Sequence, residues 1–187
     1  MSYKSTIENY LPYNIQETKD LEVIRTLMDL DQVMTRENKV AHLTVSSINY
    51  NKDKDKILMV YHKIYNSWSW TGGHVDGMDN GLRVAMKELQ EETGIKKLKV
   101  LQDKPIALDL LPVKSHYRKG EFVPAHLHIN LTYLFEVSED ELLQVKEDEN
   151  TKVGWLPVES LEDFIVESHM VPVYKKILER VKEGQWN

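Results

Sequence analysis

The sequence concentrates its chemistry in a glycine pair followed by glutamates at helical spacing. Gly72-Gly73-His74-Val75-Asp76-Gly77-Met78-Asp79 leads into Lys87-Glu88-Leu89-Gln90-Glu91-Glu92-Thr93-Gly94-Ile95. On a helix, Glu88, Glu91 and Glu92 gather on one side, because they stand three and four residues apart. Like charges in that arrangement repel by roughly 0.2–0.5 kcal/mol per pair. Gly94 suits the left-handed residue that ends a helix, so Glu91 and Glu92 fall in the last turn, at the negative end of its dipole. A helix selected for stability alone would carry Lys or Arg there. A bound cation reverses both penalties. Clustered hard oxygen donors suit Mg²⁺ or Mn²⁺, which keep waters and bridge to phosphates. The glycine pair lets backbone approach a ligand closely, as a phosphate-facing turn requires. An acidic solvent face explains the glutamates by themselves, but not their combination with the glycines.

The elements that must position these groups are legible around them. Residues 80–93 read as a helix whose buried side is Leu82, Ala85, Met86 and Leu89, with the glutamates on a different side. Ala41, Leu43 and Val45 alternate with polar neighbours, and Ile57–Tyr61 reads as a buried strand. Further strands are expected near 97–101, 105–113 and 153–156. The clearest period-two pattern is 125–137, where Leu127, Ile129, Leu131, Tyr133, Phe135 and Val137 share one face and His126, His128, Asn130 and Thr132 the other. Residues 1–37 read as a polar helical extension, with Thr18 as an N-cap ahead of Leu21, Ile24, Leu27 and Met28. Residues 138–149 are acidic and read as a solvated turn or helix, and 171–183 as a closing helix. Together these imply an α/β sandwich around a mixed β-sheet, a single domain over 1–187 with its core at 38–160 and a C-terminal helical part at 161–187.

Composition narrows the classes. The 187 residues fit one domain, and 41% hydrophobic residues supply an ordinary core. A net charge of −6 argues against a sequence-independent nucleic-acid binder. The absence of cysteine excludes disulfides, thiolate metal sites and a cysteine nucleophile. No apolar run approaches the roughly 18 residues of a membrane span, and no leader is visible, so a soluble cytoplasmic protein without membrane partners is expected.

From Gly73 to Ile95 the spacing resembles the Nudix box: Gly, five residues, Glu, seven residues, then Arg-Glu-aliphatic-any-Glu-Glu-any-Gly-aliphatic. Asp79 stands where the family has Glu and Lys87 where it has Arg; Gly73, Glu88, Leu89, Glu91, Glu92, Gly94 and Ile95 match by type. The resemblance implies a Nudix-type α/β/α sandwich. It also implies a metal-dependent pyrophosphohydrolase, in which a metal-activated water cleaves a nucleoside diphosphate linked to another moiety. It makes Glu91, Glu92 and the Gly73 carbonyl metal ligands, Glu88 a ligand or the base, and Mg²⁺ or Mn²⁺ the cofactor. Glu149, six residues before Trp155, best matches the extra carboxylate many members carry, with Glu147 and Asp148 as alternates.

Other residues have commoner roles beside a functional one. Gly72 and His74 adjoin a phosphate site, Trp68 and Trp70 stand near enough to stack on a base, and Lys114, Arg118 and Lys119 could bind a diphosphate. Ordinary packing and scattered surface charge compete with each. His126 and His128 share a strand face as two zinc ligands would, yet no third ligand is evident, so a polar pocket lining is expected. The leading function is a hydrolase of a small nucleotide or other diphosphate. Its rival is a nucleotide-binding sensor that has lost catalysis, disfavoured because all three box glutamates after Lys87 are kept. The N-terminal helices are read either as a cap on the pocket or as a homodimer interface.

Overall fold

The computed structural model describes residues 2–186 apart from Lys119 and the side chain of Arg118. The central strand β1 (Ala41–Tyr50) is buried at every residue. It runs parallel to β8 (His126–Glu136), in register from Ala41↔Leu127 to Tyr50↔Glu136. On its other edge it pairs antiparallel with β4 (Thr71–His74), and its end meets β2 (Lys56–His62) at Tyr50↔Ile57. β8 carries β5 (Lys99–Val113) antiparallel on its far side. β2 in turn pairs with β3 (Ser67–Ser69) and β9 (Asn150–Pro157), and the short strands β6 (His116–Arg118) and β7 (Glu121–Val123) form a separate hairpin. The sheet is mixed and flanked by helices, an α/β fold as the alternating patterns imply.

The two faces of β1 decide where the helices lie. Ala41, Leu43 and Val45 join Ile129, Leu131, Tyr133 and Phe135 of β8 in one core, packed against Val84, Ala85 and Leu89 of α3 (Gly81–Thr93). The N-terminal helices α1 (Tyr3–Glu8) and α2 (Ile15–Leu27) add Tyr3, Ile7, Leu21 and Ile24 to that core. On the opposite face, Ile48, Tyr50 and Leu134 pack with Tyr174 and Ile177 of α4 (Val171–Lys182). The first half of this second face is polar: His42, Thr44 and Ser46 of β1 stand beside His128, Asn130 and Thr132 of β8. The Asn130 side-chain carbonyl accepts from both Thr44 and Ser46, at 3.0 and 2.9 Å.

Several local expectations need correction. The N-terminal 37 residues are not continuously helical; turns fill the stretch from Met28 to β1. Asn14, not Thr18, caps α2, its side chain accepting from the Glu17 N–H at 2.9 Å. Thr18 lies inside the helix with its hydroxyl bonded back to the Asn14 carbonyl. The two strands expected around 97–113 are one strand, broken in register near Gln102 by irregular pairing. Of the two readings of the acidic stretch 138–149, turn or helix, the turn holds, with irregular chain between turns near its two ends.

Between α2, β5 and α4 lies a buried ionic knot. Lys176, 6% exposed, reaches Glu17 at 2.9 Å and bonds Asp109, both carboxylates being fully buried. Glu17 also accepts from Tyr10 at 2.8 Å and from the Tyr13 N–H at 2.7 Å. Removing one partner from such a cluster leaves charge without compensation in low dielectric. Lys176→Met is therefore expected to destabilise the protein by about 3–5 kcal/mol in denaturant unfolding. Lys175→Met, which removes only an exposed ion pair to Glu162, should cost no more than about 1 kcal/mol in the same measurement.

Candidate active site

Helix α3 starts at an Asn80 cap and ends at Gly94, whose φ of 76° is the left-handed conformation expected of it. Its carboxylates differ sharply in environment. Glu91 is half exposed, Glu88 is mostly covered, and Glu92 is 3% exposed. Glu92 thus belongs to the buried side of the helix, contrary to the expectation that all three glutamates stand apart from it.

Close backbone approach explains the glycines. A β-carbon on Gly72 would lie 2.3 Å from the Val45 carbonyl oxygen, and one on Gly73 would lie 2.7 Å from the Glu88 carboxyl carbon. The Gly72 N–H donates to Glu92 at 3.0 Å, and the Asn150 side chain approaches the other Glu92 oxygen at 3.5 Å. Burial, resisted by the Gly72 N–H and reinforced by Glu88, pushes the Glu92 carboxyl up to about 8. Burial also raises Glu88, opposed by the nearby Lys87 and Lys146 ammonium groups.

The loop before β9 brings Glu149 into the field of Glu88 and Glu92. It is fastened by the Gln144 N–H to the Thr93 carbonyl at 2.7 Å, and Glu149 pairs with Lys146 at 2.9 Å. Lys87, in place of the family arginine, lies 3.3 Å from Glu91 and 3.8 Å from Glu88, so its single charge spans both. Asp79 turns away from this cluster and accepts the Tyr3 N–H at 3.2 Å, tying the box loop to the first turn of α1. That tie was not foreseen from the sequence, where Asp79 offers only a shortened carboxylate.

The remaining candidates fall elsewhere. Trp70 packs edge-on to Tyr174, with ring centroids 5.1 Å apart, and the Trp70 backbone N–H donates to the Tyr174 hydroxyl at 3.2 Å. Trp68 meets Tyr61 in the same manner at 5.6 Å. Lys119 and the Arg118 side chain lie outside the described residues. His74, at the end of β4, approaches His42 of β1, with 3.0 Å between their Nε2 atoms. His42 and His74 supply, beside His128, the further nitrogen donors that are not evident in the sequence. The parallel register of β1 with β8 sets His42 opposite His128. Burial lowers the basicity of both, pushing His128 down to about 3.

A model of the NUDIX domain matches residues 40–181. Among similar proteins, an RNA pyrophosphohydrolase of Pelagibacter ubique is 28% identical over 142 residues, covering 70% of this chain and 86% of that protein. A probable DHNTP pyrophosphohydrolase of Lactococcus lactis is 29% identical over 106 residues, covering 56% of this chain and 59% of that protein. In fold, an Ap4A hydrolase of C. elegans aligns with a TM-score of 0.56 at 18% identity, covering 75% of this chain and 98% of that one. A NUDIX-family hydrolase of Clostridium perfringens gives the same TM-score at 19% identity, with 75% and 97% covered. With the glycine turn, the glutamate helix and the mixed sheet in the relation described, the chain belongs to the NUDIX family and is a hydrolase of phosphorus-containing anhydrides.

Proposed function

We propose that the protein hydrolyses a phosphoanhydride in a nucleoside diphosphate linked to another moiety, with Mg²⁺ held by Glu91, Glu92, Glu149 and the Gly73 carbonyl and with Glu88 as the base. The observation that carries this reading is the buried Glu92, an acid kept in a site where it is costly. A carboxylate with Glu88 and Glu149 for neighbours and one backbone N–H for support fits a site completed by a hard divalent cation. The donor set is all oxygen, as Mg²⁺ prefers. When bound, the cation supplies charge neutralisation on the phosphate oxygens and a more acidic water.

The chain's own groups do the rest. Glu88 stands against Gly73 with its proton affinity raised by burial, which suits a general base. Water attacks phosphorus, its proton passes to Glu88, the new oxygen–phosphorus bond forms, and the anhydride bond breaks to release two phosphorylated products. Lys146 engages Glu149 in an ion pair, which leaves Glu88 the freer acceptor. Lys87 orients Glu88 and Glu91 as a point charge, without the bidentate grip of an arginine. The relatives named as pyrophosphohydrolases support the reaction class, and the bound moiety is assigned to a small-molecule nucleotide in the cytoplasm.

Two measurements test the reading. A panel of nucleoside-diphosphate compounds and nucleoside triphosphates, offered with Mg²⁺ or with EDTA, should show metal-dependent turnover. Glu88→Gln should lower that turnover by roughly 100- to 10,000-fold, the span general-base catalysis covers, and Glu91→Gln/Glu92→Gln should abolish it. Tight metal-independent binding of one compound without turnover would overturn hydrolysis in favour of a sensor.

The second measurement concerns pH. A carboxyl raised in the folded state loses stability as the unfolded form ionises, from its ordinary range up to its folded value. In EDTA the protein should therefore become less stable between about pH 4.5 and 8, by at most about 1.4 kcal/mol per pH unit from Glu92. Glu92→Gln keeps an acceptor for Gly72 without the titration. It should remove that part of the slope in unfolding curves taken across the window.

A further inference from the structure

The histidines on the polar half of the sheet are not used by the reaction above, and the sequence places them on three different strands. His42 comes from β1, His74 from the end of β4 and His128 from β8. Register brings them together: His42 lies opposite His128, and Thr44 opposite His74. One ring nitrogen from each lies within 4.8 Å of the others. His126 adds a further donor, its Nε2 lying 3.2 Å from that of His128. We propose that His42, His74 and His128 form a binding site for a borderline divalent transition metal, Zn²⁺ first, separate from the carboxylates of α3.

The orientation of the rings supports this. His42 Nδ1 faces the Asn38 carbonyl at 3.0 Å and His126 Nδ1 faces the Pro124 carbonyl at 2.8 Å. Those partners assign the protons to Nδ1, so both Nε2 atoms turn lone pairs toward the cluster. A carbonyl behind the ligating ring is the usual outer-shell arrangement of metal-binding histidine. In a tetrahedral site with Zn–N bonds of about 2.0–2.1 Å, ligand nitrogens stand about 3.4 Å apart. The His42–His74 Nε2 separation of 3.0 Å is near that edge, and with the triad's nitrogens within 4.8 Å of one another, binding draws His128 inward.

The nearby cations are engaged elsewhere. Arg36 pairs with Asp76 at 2.9 and 3.1 Å, and the Lys39 ammonium donates to the Arg36 carbonyl at 2.9 Å. An all-nitrogen donor set selects Zn²⁺, Ni²⁺ or Cu²⁺ over Mg²⁺ and Mn²⁺. The fourth position falls to water or to His126. A metal here ties the starts of β1 and β8 to the strand carrying Gly72 and Gly73, holding the glycine turn against α3.

The test titrates Zn²⁺ and, as a spectroscopic probe, Co²⁺ into the full chain and two variants. The wild type should take up one equivalent of Zn²⁺ at this site, raise its melting temperature, and give with Co²⁺ the intense visible bands of low-coordinate nitrogen ligation. Glu88→Gln/Glu91→Gln should keep both signals, because it alters only the carboxylates. His42→Gln/His128→Gln should weaken them by more than about 100-fold, beyond the loss typical of an outer-shell partner. X-ray absorption of the zinc-loaded wild type needs no variant, and should show imidazole scattering at about 2.0–2.1 Å. Bands that vanish with the glutamates rather than the histidines, or a zinc shell of oxygen alone, would overturn the site while leaving the hydrolase reading intact.

Discussion

Every residue of β1 is buried, so both faces of that strand must be covered, and the molecule is arranged around this constraint. Its apolar face receives α3, which fixes the glutamates relative to the glycine turn of β4 on the strand's edge. Its other face divides halfway along. The apolar half takes α4, and the polar half is closed by side-chain hydrogen bonds centred on Asn130. A strand with two chemistries on one face can sit under a packed helix and beside a polar chamber at once. The glutamate helix and the histidine cluster are consequences of the same alternation, on opposite sides of one sheet.

Within the carboxylate cluster, the departures from the family pattern redistribute work. Lys87 holds two glutamates with a single ammonium, where a planar fork would fix each separately. Asp79 supports the N-terminal helix instead of the cluster. The box is thereby connected to α1, a segment outside the family match. Lys146, beside Glu149, offsets part of the negative charge that Glu88 and Glu149 share.

The reasons for success and failure in reading the sequence are physical. Period-two alternation located β1 and β8 because each has one apolar face along most of its length, and the glutamate spacing located α3 because helical geometry is local. The cap of α2 was misplaced because Asn14 and Thr18 both offer suitable oxygens, and only the Glu17 N–H selects between them. The spacing sets all three glutamates apart from the buried side because it gives an angle around a helix, not the depth at which Glu92 meets Gly72. His42 and His128 lie 86 positions apart, and no local signal encodes the parallel register that makes them neighbours. Long-range pairing, not residue type, is what the chain withheld.

The ionic knot of Glu17, Asp109 and Lys176 has a consequence for motion. It joins α2, near one end of the sequence, to α4, near the other, through β5 between them. Neither helix can lift without exposing an unpaired charge on its partner. The knot therefore couples the opening of one helix to that of the other across some 150 residues of intervening chain. Contacts local to either helix would let each fray by itself; this one fastens the two to each other across β5.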